Sequence, residues 1–497
     1  MSNTQLSKNQ QIKNGMIYVM PVGLNILIPI ITIPIFTRVF SPADYGALGL
    51  SMIYAIFISG VANFGLNLAF ERNYFEYREN KIKLSQLLYS SLTFVLILFT
   101  IMATITYMFI DTIAEFLTGD VIHANLVLAS LFGHFMYSTI SNYYYIYFKN
   151  TEKANLYTKY RILSTILNLT ISLVIILYFE SGIVGIVIAQ FISGMIVFVA
   201  MFSSVQKLLS VSLNKDILIE SLKISYPLFP RIFMGVLNTQ IDKYLIGIYS
   251  NIAGVGVFHV GKKISESVFS FMTGLENVYN PQVYQRMFGQ HNNDRDSVGP
   301  YLTPFLYISI FIALATATLS EEILTILTPS SYHSAIPIVI ILSMYYGLLF
   351  FSKIVAIQLI YSRKTYVVSI LTIMRIVINI IVNIPFIIKY GALGAALGTF
   401  IAGIISGVIS LWVAQYYHRI YYQWRRISVI MLTFITSSFL IFILYNSDYP
   451  YIWAVVVKII ALIMYTIIGI SYGIISRDNI QAIASIFNNN PKPQTIK

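Results

Sequence analysis

The sequence predicts an all-α integral membrane protein of fourteen transmembrane helices, arranged as two parallel six-helix lobes plus two C-terminal helices, with N and C termini cytoplasmic. Three observations predict it. Of 497 residues, 57% are hydrophobic and only 10% are charged, and the mean hydropathy is +0.74, outside the range of soluble domains. Apolar stretches of about 20 residues, the length that crosses hydrocarbon, recur along the whole chain. Lysine and arginine fall between these stretches with a strong bias to one side.

The predicted spans lie near 15–37, 45–69, 86–110, 121–147, 162–180, 182–204, 224–249, 252–278, 301–320, 334–360, 365–388, 391–413, 427–445 and 451–474. Residues 1–14, MSNTQLSKNQQIKN, are polar and run into the first span without a small-residue cleavage site, so a retained first helix is expected. Connections are short, which leaves no room for soluble domains. With the N-terminus inside, cytoplasmic segments hold 23 of the 32 basic residues, outer loops hold Arg38 and Lys389, and seven fall within spans. That bias orients both termini to the cytoplasm. The formal charge of +12 is therefore accounted for by loops and calls for no nucleic-acid partner. The chain has no cysteine, which excludes disulfides and thiolate metal sites; no metal or other cofactor is expected.

An internal repeat of about 210 residues sets the domain organisation. Lys13 and Gly46 correspond to Lys223 and Gly256, an offset of 210. Lys153, Asn168, Gly182, Gly185 and Ala189 correspond, with a two-residue slip, to Lys364, Asn379, Gly391, Gly394 and Gly398. Each unit holds six spans, an even number, so both halves enter from one side and are related by an axis along the membrane normal. The expected divisions are 1–210, 211–420, and 421–497 for the last two helices and a cytoplasmic tail.

The seven basic residues inside spans are Arg231, Lys243, Lys262, Lys263, Lys353, Arg375 and Lys458. Facing lipid they would together cost on the order of 20 kcal/mol, so most must face a polar interior. At 1.5 Å per residue, Lys262, Lys263 and Arg375 lie roughly 15 Å deep, near the midplane. Asp242 and Lys243 fall near the outer end of their helix, where long side chains snorkel.

The stretches PIFTRVFSPADYGALGL (34–50), IDKYLIGIYSNIAGVGVFHVGKKI (241–264) and SRKTYVVSILTIMRIVINIIVNIPFIIKYGALGAALGTFIAGII (362–405) resemble those of bacterial polysaccharide repeat-unit flippases. These are the Wzx-type transporters of the multidrug/oligosaccharidyl-lipid/polysaccharide exporter superfamily, which also contains multidrug and toxin extrusion antiporters and lipid II flippases. The resemblance covers nearly the whole chain. It implies two lobes around a cationic central cavity that opens alternately to each side. The cargo it implies is an undecaprenyl-pyrophosphate-linked oligosaccharide, moved from the cytoplasmic to the outer leaflet of the bacterial plasma (inner) membrane for O-antigen, capsule or exopolysaccharide assembly. Expected partners are that lipid-linked oligosaccharide, membrane lipids, a polysaccharide polymerase and a chain-length regulator.

Pyrophosphate carries at least two negative charges that cannot cross hydrocarbon bare. Lys and Arg compensate them, and Arg can bind phosphate oxygens bidentately. The pyrophosphate-binding candidates are Arg231, Lys262, Lys263, Lys353 and Arg375. Asn25, Asn63, Asn67, Asn142 and Tyr144 in the first lobe are candidates for contacting the glycan. The resemblance implies coupling to the proton gradient, and Glu266, Asp242 and His134 are the candidate titrating groups. Plainer roles stand beside these: Glu266 one turn from Lys262 or Lys263 is an ion pair in waiting, Arg375 could pair with Glu266 or another buried acid, His134 could be a hydrogen-bonded bundle residue, and Lys458 a lipid-interface or packing residue. Glu276, near the cytoplasmic end of its helix, reads as hydrated.

No GxxxxGK[ST] stretch is present, so ATP hydrolysis is not expected. A multidrug antiporter of this fold usually carries an acid in the first lobe, and GMIYVMPVGLNILIPIITIPIF (15–36) has none. A lipid II flippase shares the cationic-cavity logic and remains an alternative. A glycan polymerase or ligase needs an extended outer loop with catalytic groups, and the longest here, SEEILTILTPSSYH (320–333), is short. An enzyme is therefore not expected.

Overall fold

The computed structural model describes residues 28–288, 296–445 and 450–474, apart from the side chains of 228, 231–233 and 281. Among these residues every regular element is helical. The chain forms two compact units. The first comprises Met1–Val260, Leu327–Tyr332 and Ile384–Ala395; the second comprises Gly261–Ile326, His333–Asn383 and Ala396–Lys497.

In the first unit, α1 (Ile28–Val39) leads to α2 (Pro42–Asn63), whose start is dictated by SPAD: Ser41 caps the Asp44 amide, the Asp44 carboxylate accepts from the Ser41 amide, and Pro42 occupies the first turn. The expected continuous span 45–69 instead breaks after Asn63, where Phe64 and Gly65 take positive φ of 48° and 76°. Gly65 accepts that conformation without a Cβ penalty, and the chain restarts as α3 (Leu66–Tyr77). Then come α4 (Lys81–Met108), α5 (Ile110–Thr118), α6 (Ala124–His134) and α7 (Ser141–Asn150). A π-helical stretch, Phe135–Ile140, joins α6 to α7, with Ser141 Oγ donating to the Met136 carbonyl at 2.8 Å. A π-bulge of this kind often marks a functional site in a helix. Helices α8 (Ala154–Phe179) and α9 (Val184–Gln206) form a packed hairpin, α2 and α9 both pack on α6, and Leu87, Leu131, Tyr143, Tyr144 and Val205 sit in the shared core. Outside the candidate spans, α10 (Lys215–Ser225) packs on α3. There the Tyr77 hydroxyl donates to Glu220 at 2.7 Å, and burial, reinforced by that carboxylate, pushes the Tyr77 phenol up to about 12.

Helices α11 (Phe229–Tyr249) and α12 (Ile252–Met287) carry the charged stretch. The start of α12 crosses the start of α2 through a reciprocal glycine contact. A Cβ at Gly46 would fall on the Ile252 carbonyl oxygen, and one at Gly256 on the Pro42 carbonyl oxygen. Pro42 and Ile252 are related by the same 210-residue offset as Gly46 and Gly256, so the crossing is symmetric under the repeat. Only glycine permits backbones this close. Gly256→Val is accordingly expected to lower stability by about 1–3 kcal/mol, the usual cost of overpacking, as read from the thermal midpoint of the purified protein; an unchanged midpoint would refute the close approach.

The remaining helices, mostly in the second unit, are α13 (Val298–Thr318), α14 (Ser320–Leu327), α15 (Ile336–Tyr361), α16 (Thr365–Tyr417), α17 (Trp424–Tyr445) and α18 (Tyr451–Ser471). Helix α13 packs on α15, α17 and α18. The 53-residue α16 contains the two spans expected at 365–388 and 391–413, joined across a kink where Gly391 adopts φ 57°, ψ −133°. Its repeat counterpart Gly182 also has positive φ, 62°.

Among the described residues, ten helices are long and apolar enough to cross a membrane. Helices α11 and α12 are not among them, and both carry interior charges: Asp242 and Lys243 in one, Lys262, Lys263, Glu266 and Glu276 in the other.

Candidate functional site

Helix α12 builds one wall of the candidate site. Lys262, Glu266, Phe269, Thr273, Glu276 and Asn280 recur every three or four residues and so share a face, a polar stripe roughly 27 Å long at 1.5 Å per residue. A 36-residue helix holds such a stripe because positions on its far side, among them Ile264 and Val268, are buried. Lys263 lies 3.9 Å from Glu266, with both side chains substantially exposed, a pair that contributes little. Lys262 is half-buried.

Two further helices of the second unit supply Lys353 and Arg375. Lys353 on α15 makes a 2.7 Å ion pair with Glu276, with side-chain exposures of 25% and 19%. Its ammonium also lies 4.8 Å from the Phe269 ring centroid. Glu276, expected to be hydrated from its place near a helix end, is instead the counter-ion of a predicted pyrophosphate ligand. Arg375 is half-buried on α16, and among the described residues no ion pair or hydrogen bond engages it. One and two turns along lie Asn379 and Asn383, where Asn383 Nδ2 donates to Asn379 Oδ1 at 3.1 Å and both side chains lie 3.4 Å from the Thr399 hydroxyl. The run Arg375, Asn379, Asn383 is spaced by four and shares one face. Arg231 is helical on α11, with its side chain outside the described residues.

In the first unit, Asn63 and Asn67 meet across the α2–α3 break, with Asn63 Nδ2 donating to Asn67 Oδ1 at 2.8 Å. The Tyr143 hydroxyl donates to Asn63 Oδ1 at 2.7 Å. Of three consecutive tyrosines it is therefore Tyr143 that joins the polar cluster, whereas Tyr144 is fully buried in the core against Phe198. Successive residues point about 100° apart on a helix, and sequence alone did not say which one faces Asn63. Asn142 is half-buried on α7 and His134 half-buried where α6 meets the π-helical stretch. Asn25 lies outside the described residues. Asp242, expected at a snorkelling outer rim, is buried with 6% exposure, and Lys243 Nζ lies 3.0 Å from His259 Nδ1.

Lys458 reads from the sequence as a packing residue, and the structure gives it ionic partners. Its ammonium donates to Glu321 and Glu322 at 2.7 Å each, with 6% of its side chain exposed. A cavity of about 120 Å³ adjoins this cluster, lined in part by Tyr445, Tyr451, Ile340 and Ala454. The two consecutive acids in SEEIL and one lysine in an otherwise apolar α18 were the available signal.

The model of the family described as polysaccharide biosynthesis protein matches residues 12–281, more than half of the chain. The chain belongs to that family. In fold it is similar to a solved structure of the lipid II flippase MurJ in its inward closed conformation, with TM-score 0.67 and 17% identity over 94% of this chain and 99% of that one. It is also similar to an inward-facing multidrug resistance MATE family transporter of the MOP superfamily, with TM-score 0.60 and 15% identity over 83% of this chain and 94% of that one. A point mutant of the Vibrio cholerae MATE transporter VcmN matches with TM-score 0.55 and 17% identity over 82% and 95% of the two chains. No curated protein matches the sequence. The superfamily resemblance read from the sequence thus holds, and this family member is a multi-pass inner-membrane protein.

Proposed function

We propose that this polysaccharide biosynthesis family member is a flippase that moves undecaprenyl-pyrophosphate-linked oligosaccharide repeat units from the cytoplasmic to the outer leaflet by alternating access, without enzymatic chemistry of its own. The observation that carries the reading is the set of basic residues on α12, α15 and α16 of one unit, with Arg375 half-buried and engaged by no described residue. A half-buried guanidinium that no described residue engages carries a desolvation cost, and a pyrophosphate is the cargo chemistry that offsets it through bidentate bonds. Lys262, Lys263 and Lys353 complete the head-group site, and Arg231 is assigned to it from sequence. On the glycan side the reading uses Asn63, Asn67 and Asn142, with Asn25 assigned from sequence; Tyr144 supplies packing behind them. Fourteen crossings, cytoplasmic termini and lobes 1–210 and 211–420 complete the proposal, with Glu266, Asp242 and His134 as coupling groups. A polymerase and chain-length regulator would act on the product.

Cationic side chains set this reading apart from a drug antiporter, whose cargo is itself cationic. Depleting the protein in its own cell is expected to accumulate lipid-linked repeat units on the cytoplasmic leaflet while lipid II stays fully exported. Accumulation of lipid II with normal repeat-unit export would favour the lipid II reading instead.

A further inference from the structure

We propose that Glu276 is a specificity-determining residue: the resident counter-ion of Lys353, which yields to a pyrophosphate and not to a singly charged phosphodiester. The proposal rests on the head-group site proposed above. The two charges are 2.7 Å apart and three-quarters or more buried, so neither ion can be left alone without a penalty of several kcal/mol. An arriving anion must therefore replace the Glu276 carboxylate. A phosphodiester such as a bilayer phospholipid brings one negative charge, so the exchange trades one monoanion for another and leaves Glu276 charged beside it. A pyrophosphate diester brings two, and the second charge is surplus attraction that a cationic site can use.

The surroundings suit an exchange. Asn280, one turn along α12, has its amide 3.5 Å from Glu276 Oε1 and offers the carboxylate a hydrogen bond when Lys353 leaves. The Phe269 ring 4.8 Å from the Lys353 ammonium holds the cation in place without neutralising it. Among the described residues, ionisable groups near Glu276 include Lys353, Tyr279 and Tyr284. The bilayer supplies phosphodiester monoanions in vast excess over any lipid pyrophosphate, so a cationic site lacking this filter would fill with phospholipid.

The test compares binding of inorganic pyrophosphate and of a short-chain phosphatidylglycerol to the purified full-length protein by titration calorimetry. The wild type should prefer pyrophosphate by at least about tenfold, and Glu276→Gln should raise phosphatidylglycerol affinity by about tenfold so that the preference collapses. An unchanged preference overturns the inference. Because Glu276→Gln leaves Lys353 buried and unpaired, the double variant Glu276→Gln/Lys353→Gln, which keeps the local charge at zero, gives a second reading. It should lose about tenfold in pyrophosphate affinity, and full affinity would also overturn the inference. If Arg375→Ala weakens pyrophosphate binding while the preference in Glu276→Gln stays put, this inference alone fails. If the wild type binds no pyrophosphate, the head-group reading fails with it.

Discussion

Replacing Lys458 by alanine is expected to destabilise the protein by about 3 kcal/mol, the lower end of the cost of stranding partly buried carboxylates without their cation. Lys458 is 6% exposed and is shared between Glu321 and Glu322, and Tyr451 adds a 3.3 Å bond to Glu322. The cluster ties α18 to α14. A single-residue loss of packing would cost less, so the control is the triple variant Lys458→Met/Glu321→Gln/Glu322→Gln, which removes all three charges and should recover most of the stability. The thermal midpoint of the detergent-purified protein reads both. Equal midpoints for wild type and Lys458→Ala would rule out the ionic tie.

The second large effect concerns transport. Arg375→Ala should leave membrane insertion normal and lower export of lipid-linked repeat units by roughly 10- to 100-fold, the value of charge-assisted hydrogen bonds of about 1.5–3 kcal/mol. Arg375→Lys keeps the charge and loses the planar fork, so it should fall between the two. Quantifying surface polysaccharide against protein level in the membrane separates these outcomes, and wild-type export from Arg375→Ala would exclude a cargo role for this residue.

Much of the helical fold was legible because hydropathy acts over long segments. The hidden parts depend on one residue's conformation or on a partner distant in sequence. Phe64 and Gly65 break an apolar run that averages as one helix. The π-helical turn at Phe135–Ile140 leaves the composition of the segment unchanged. In the site, the sequence placed Lys262, Lys353 and Arg375 inside hydrophobic spans, and burial penalties required partners for them. It did not pair Lys353 with Glu276, 77 positions away, because two helices must dock before those charges meet. The same held for Lys458 with Glu321 and Glu322. Glycine spacing did better: the 210-residue offset linking Gly46 to Gly256 reappears as a reciprocal backbone contact, since close helix approach constrains residue type directly.

As proposed, this chain alone moves a pyrophosphate-linked oligosaccharide between leaflets. The direct measurement reconstitutes the purified protein in liposomes carrying a fluorescent undecaprenyl-pyrophosphate oligosaccharide and follows its exposure to an impermeant quencher. The wild type should show protein-dependent translocation that excess short-chain lipid pyrophosphate slows and that Arg375→Ala lacks. Exposure at the rate of protein-free liposomes, or equal rates for wild type and Arg375→Ala, would contradict it.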